Sequence, residues 1–122
     1  MSPRLRRGVF ALLLGISLAM FLTPGGDVSP SAPNDKLVHL LTFAALAASG
    51  RWAGLPPVRL GLGLAAYAGV TEVLQSLLPI ERHGDLRDLA ADVAGVLLGL
   101  LVGWVASRVA SRVAMRAGRA HD

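Results

Sequence analysis

Four apolar segments, at about residues 8–23, 37–54, 59–78 and 86–107, fill most of this 122-residue chain. Each is close to the roughly 20 residues that carry a helix across a bilayer. The breaks between them are chemical. Thr23 to Asn34 is rich in Pro, Gly and Ser, Pro56-Pro57 separates the second segment from the third, and Pro79 closes the third; none of these can continue a helix. With 53% hydrophobic and only 16% charged residues, the balance is not that of a soluble domain. The sequence therefore predicts one domain, an all-α integral membrane four-helix bundle, ending in a basic tail at 108–122. Ser49-Gly50-Arg51 interrupts the second segment, whose fit calls for tilt or for snorkelling of Arg51.

The positive charges set an orientation. Arg4, Arg6 and Arg7 precede the first segment, Arg51 and Arg59 flank the connector between the second and third, and Arg108, Arg112, Arg116 and Arg119 follow the fourth. By the positive-inside rule all three groups are cytoplasmic, so both termini lie inside and the other two connectors face outward. Trp52 and Trp104 fall at the same boundary, where indole rings favour the interface. Because the basic residues flank apolar spans, the net charge of +4 reads as topology signal and anionic-lipid contact, with no nucleic acid implied. The first segment also has the basic start of a signal peptide, but no small-x-small site precedes Thr23-Pro24, which favours an uncleaved anchor. No cysteine is present, so chemistry falls to carboxylates, His, Lys, Arg and hydroxyls.

Ionisable residues at membrane depth are functional candidates by default, because a charge there costs roughly 2.5 to 3.5 kcal/mol unless protein, water or a partner meets it. Three clusters qualify: Asp35, Lys36 and His39 on the second segment, Glu72 and Gln75 on the third, and Asp85, Asp88 and Asp92 leading the fourth, with Arg82 just before it. Helical spacing puts Asp35 with His39, Glu72 with Gln75, and the three aspartates on common faces. The aspartate stripe continues as Gly95, Gly99 and Gly103, a doubled GxxxG that lets another helix backbone approach. Gly61, Ala65 and Gly69 lead up to Glu72 in the same way. Small residues thus pack the inner half and polar ones fill an outward-opening pocket, with Glu72 about 10 Å inward from Pro79 and Asp92 about 9 Å inward from Leu86.

Structural roles compete with functional ones. Asp35 and Asp85 also suit helix N-caps, Lys36, Arg82 and Arg87 suit interfacial anchors, and a buried polar network can serve packing alone. His83 and His121 receive no role. In a functional reading, Lys36 and Arg82 hold an anionic headgroup and the carboxylates orient its amide or hydroxyl groups. In an enzymatic one, His39, Glu72 and Asp88 supply acid and base, with a divalent cation on Glu72, Asp88 and Asp92. A proton-coupled transporter is a third reading, although no polar path crosses the inner half.

Asp35-Lys36-x-x-His39 with Phe43, Glu72-x-x-Gln75 with Pro79, and Arg82-x-x-Asp85-x-x-Asp88-x-x-x-Asp92-x-x-Gly95 together resemble the signature of the VanZ-like membrane proteins. The resemblance covers nearly the whole chain. Two positions depart from it: Leu40 stands where the family often has Phe, and Asp92 where it commonly has Asn. The family is named for a protein associated with low-level resistance to the glycopeptide teicoplanin, and its biochemical activity is not established. The resemblance implies a multi-pass protein of the cell membrane and makes modulation of glycopeptide susceptibility an expectation, while the polar pocket itself reads as a site for a cell-envelope amphiphile such as a cell-wall precursor or lipid-linked headgroup, with membrane lipids as the surrounding partners.

Overall fold

The computed structural model describes residues 1–23, 33–79 and 86–121, the first three of the second stretch by backbone alone. These residues form four α-helices: α1 (Pro3–Leu22), α2 (Pro33–Trp52), α3 (Pro57–Leu77) and α4 (Leu86–His121). The all-α expectation holds. Three helices, α1, α3 and α4, are long and apolar enough to cross a membrane. The second predicted span is not among them, because α2 carries Asp35, Lys36, His39, Ser49 and Arg51.

Local chemistry sets the helix ends. The Ser2 hydroxyl accepts from the Leu5 amide at 3.2 Å, with Pro3 in the first helical position, where its missing N–H costs nothing. At the end of α2, the Gly54 amide donates to Arg51 and the Leu55 amide to Gly50, both at 3.0 Å. This is a Schellman closure, and it requires the left-handed φ of +87° that Gly54 adopts. Pro56 and Pro57 then start α3, which stops before Pro79. Helix α2 begins at Pro33, so Asp35 is its third residue and not its N-cap.

The core sits around α2, which packs most extensively against α4. Its inward face is His39, Phe43, Leu46, Ala47 and Gly50, a helical repeat. Gly95 and Gly99 make the contact possible. A Cβ at Gly95 would overlap the Leu40 carbonyl; one at Gly99 would overlap the Ala44 carbonyl and lie 2.6 Å from the Ala47 Cβ. Gly103 continues the contact against Arg51. The stripe expected on α3 does not: nothing lies within 4 Å of a Cβ at Gly69, and one at Gly61 meets only the tip of Leu100 at 3.3 Å. Helix α3 turns Leu60, Leu64, Ala68, Thr71, Glu72 and Gln75 inward instead. Because these side chains are larger, its backbone stays farther from its neighbours.

Helix α4 does not stop at the expected end of the apolar segment. It continues through the basic tail to His121, and every described residue from Trp104 onward is exposed. At 1.5 Å per residue this stretch reaches roughly 27 Å past the last packed turn. Two cation–π pairs mark one level of the molecule. Arg6 lies 5.2 Å from the Trp52 ring and Arg108 lies 5.0 Å from the Trp104 ring, and Arg6 also donates to the Trp52 carbonyl at 3.4 Å.

Candidate functional site

At the opposite level, α1 ends, α2 begins, α3 ends and α4 begins, so four helix termini deliver side chains to one layer. Helix α2 supplies Lys36 and His39 one turn apart, α3 supplies Glu72 and Gln75, and α4 supplies Asp88 and Asp92. His39, Glu72, Gln75, Asp88 and Asp92 are all buried, Asp92 completely. Polar burial on this scale requires internal partners. Lys36 Nζ donates to Asp88 Oδ1 at 2.9 Å, His39 Nδ1 lies 2.6 Å from Asp92 Oδ1, and Gln75 Nε2 donates to the Phe21 carbonyl at 2.9 Å. The last bond occupies a carbonyl at the end of α1 that has no intrahelical donor, and thereby ties α1 to the site.

An aromatic wall closes the layer on its packed side. The His39 ring stacks on Phe21 with centroids 4.8 Å apart, Phe21 stacks on Phe43 at 5.8 Å, and Phe43 meets Tyr67 at 5.7 Å. The Tyr67 hydroxyl is 2.7 Å from Ser17 Oγ, which also donates to the Leu14 carbonyl. The imidazole is therefore held by stacking on one face and by a carboxylate on one edge. One ring nitrogen, Nδ1, thus faces the Asp92 carboxylate, and an imidazole so oriented can serve as a base or a metal ligand.

The sequence-derived site is partly assembled and partly redrawn. His39, Glu72 and Asp92 each place a donor atom within 4.8 Å of the other two, although they come from three different helices. Of the set expected to hold a cation, Glu72, Asp88 and Asp92, Asp88 pairs with Lys36 at the partly exposed edge of the layer, while His39 lies with Glu72 and Asp92. Asp35 is part of α2, with only its backbone described, and Arg82 and Asp85 lie outside the described residues. Phe21, Ser17 and Tyr67 were not singled out from sequence. Their signals were available, since Ser17 and Tyr67 are polar groups within apolar segments and Phe21 is the last aromatic before a breaker.

An apolar groove of about 440 Å³, lined by Phe10, Leu14, Leu60, Leu64 and Tyr67 among others, opens between α1 and α3. Its lining is apolar apart from Arg59 and Tyr67, whose hydroxyl is engaged by Ser17, so the polar layer remains the candidate site. Compared with known proteins, the chain matches no family model, no curated protein and no solved structure.

Proposed function

We propose that this chain is a multi-pass membrane protein whose polar layer receives the headgroup of a cell-envelope amphiphile. One observation carries the reading: at the level of the site, the usual distribution of polarity is inverted. His39, Glu72, Gln75, Asp88 and Asp92 point inward, while Val38, Leu41, Val70, Val73 and Leu77 on the same turns are exposed. Large exposed apolar surface around a buried ionisable core suits a surrounding of lipid. In this arrangement α2 crosses as the innermost helix, its polar groups facing the other three. The arginine pairs with Trp52 and Trp104 set the cytoplasmic boundary, which leaves the polar layer in the outer half. Lys36, only partly buried beside Asp88, supplies positive charge at the rim for an anionic group.

A second reading, an enzyme acting on a lipid-linked headgroup, is favoured by the His39–Asp92 pair, whose geometry orients an imidazole for proton transfer. Transport is disfavoured by the glycine-on-carbonyl contacts, which close the space between α2 and α4 below the polar layer. The resemblance to VanZ-like proteins makes glycopeptide susceptibility the cellular phenotype to measure.

Native mass spectrometry of protein extracted with its own lipids tests the reading. Wild type is expected to retain a species of defined mass, and the isosteric Glu72→Gln variant to fold with similar stability and lose it. Retention of every lipid without preference, or equal retention by Glu72→Gln, contradicts a headgroup site at Glu72. Turnover of the retained species would select the enzymatic reading. Orientation is tested separately: His83→Cys should react with a membrane-impermeant maleimide on intact cells and Gly118→Cys should not, and the reverse pattern overturns it.

A further inference from the structure

We propose that His39, Glu72 and Asp92 form a binding site for a single divalent transition-metal cation, zinc or manganese in class, with coordination positions left open to an oxygen ligand. The inference deepens the headgroup reading by naming what would hold an anionic group there, and its metal-binding part stands on separate observations. The three donor groups are one imidazole and two carboxylates, a set that suits such cations and excludes the all-oxygen preference of calcium or magnesium. They converge from α2, α3 and α4, with one ligand atom of each side chain within 4.8 Å of those of the other two. All three side chains are buried, so their convergence is set by helix packing and not by surface rotamers.

The required rearrangement is small. Metal–nitrogen and metal–oxygen bonds of about 2.0 to 2.2 Å place neighbouring ligand atoms roughly 3.0 to 3.5 Å apart, depending on the ligand angle. The His39–Asp92 separation of 2.6 Å is a proton-sharing distance, and a cation taking the place of that proton widens it by about 0.4 to 0.9 Å while Glu72 closes in. The balance is a proton exchange: the cation bonds to Nδ1 and the two carboxylates in place of the proton shared between His39 and Asp92, that proton leaves to solvent, and the imidazole stays neutral with its other proton on Nε2. Three protein ligands leave at least one position open, the pattern of sites that bind water or a substrate oxygen. In the headgroup reading, a phosphate or similar oxyanion enters there, on the side of Lys36. Phe21 and the Gln75 hydrogen bond to its carbonyl hold the imidazole face in place.

Cobalt titration of chelator-stripped protein in detergent provides the test, read by visible absorption and repeated with zinc by calorimetry in buffers of different ionisation enthalpy. Expected are one equivalent per chain, cobalt bands displaced by zinc, and proton release on binding. Glu72→Gln and Asp92→Asn should each weaken binding at least about tenfold, with helicity checked in each, while His121→Ala on the exposed tail should bind as wild type. Stripped wild-type protein that shows no stoichiometric cobalt band overturns the site, whatever the variants do. Unweakened binding in folded Glu72→Gln and Asp92→Asn, or loss in His121→Ala, overturns it as well. A retained amphiphile without metal binding removes the cation and leaves the headgroup reading intact; metal binding without any retained amphiphile does the opposite.

Discussion

Gly99→Leu is expected to destabilise the purified protein more than Leu98→Ala, although the second change removes more side chain. At Gly99 the first added carbon would overlap the Ala44 carbonyl and lie 2.6 Å from the Ala47 Cβ. Both obstacles belong to the body of α2 and not to the end of a flexible side chain, so the two helices must separate. Overpacking of this kind costs roughly 1 to 3 kcal/mol, and separation along α2 and α4 would also loosen the His39–Asp92 pair one to two turns away. Leu98 is 41% exposed, where truncation is usually worth within about 0.5 kcal/mol. Thermal unfolding followed by circular dichroism checks the order. An equal or smaller loss for Gly99→Leu would mean that the α2 and α4 backbones are not in contact.

The second large effect is expected at His39. Replacing it with leucine removes a partner of the fully buried Asp92 carboxylate, 2.6 Å away, and sets an apolar side chain against it. Breaking a buried pair on one side costs about 3 to 5 kcal/mol, whereas replacing both members with apolar residues is often close to neutral. His39→Leu should therefore be severely destabilised, and His39→Leu combined with Asp92→Leu should regain a large part of the loss. Denaturant titration in detergent, arranged as a double-mutant cycle, measures the coupling directly. A double variant as unstable as the sum of the two single ones would show that His39 and Asp92 are energetically independent.

These effects rest on features of unequal legibility. Pro3, Pro57, Pro79 and the glycine after Trp52 announce where helices begin and end, and three of the four helices carry enough apolar residues to be located by composition. Helix α2 is harder, because a helix that packs against the other three can carry polar residues such as His39 on its inward face, which lowers its apolarity. The Gly95-Gly99-Gly103 stripe announced a close contact but not its partner. On α3 the same pattern misled: Gly69 meets nothing, since which face of a helix turns inward depends on its neighbours and not on its own small residues. Asp88 and Asp92 share a face by spacing alone, yet Lys36 draws Asp88 to the rim while His39 joins Asp92. That division depends on how helices distant in sequence meet, a level that one-dimensional spacing does not reach. The tail was read by its charge as a tail, although Val105, Val109 and Val113 continue the helical repeat and no breaker intervenes before Gly118.

On the proposed membrane reading, the buried polar layer lies within a shell of lipid-facing side chains, and Val73 reports on that shell. It is the neighbour of Glu72, is 56% exposed, and points away from the site. The chain has no cysteine, so Val73→Cys carries a single spin label in protein reconstituted into bilayers, and power saturation compares its collisions with oxygen and with a water-soluble nickel complex. The label at Val73 is expected to meet oxygen more than nickel, and a label at Ser111→Cys on the projecting part of α4 to show the reverse. Greater nickel than oxygen access at Val73 would place the outer surface of the site in water and contradict that reading.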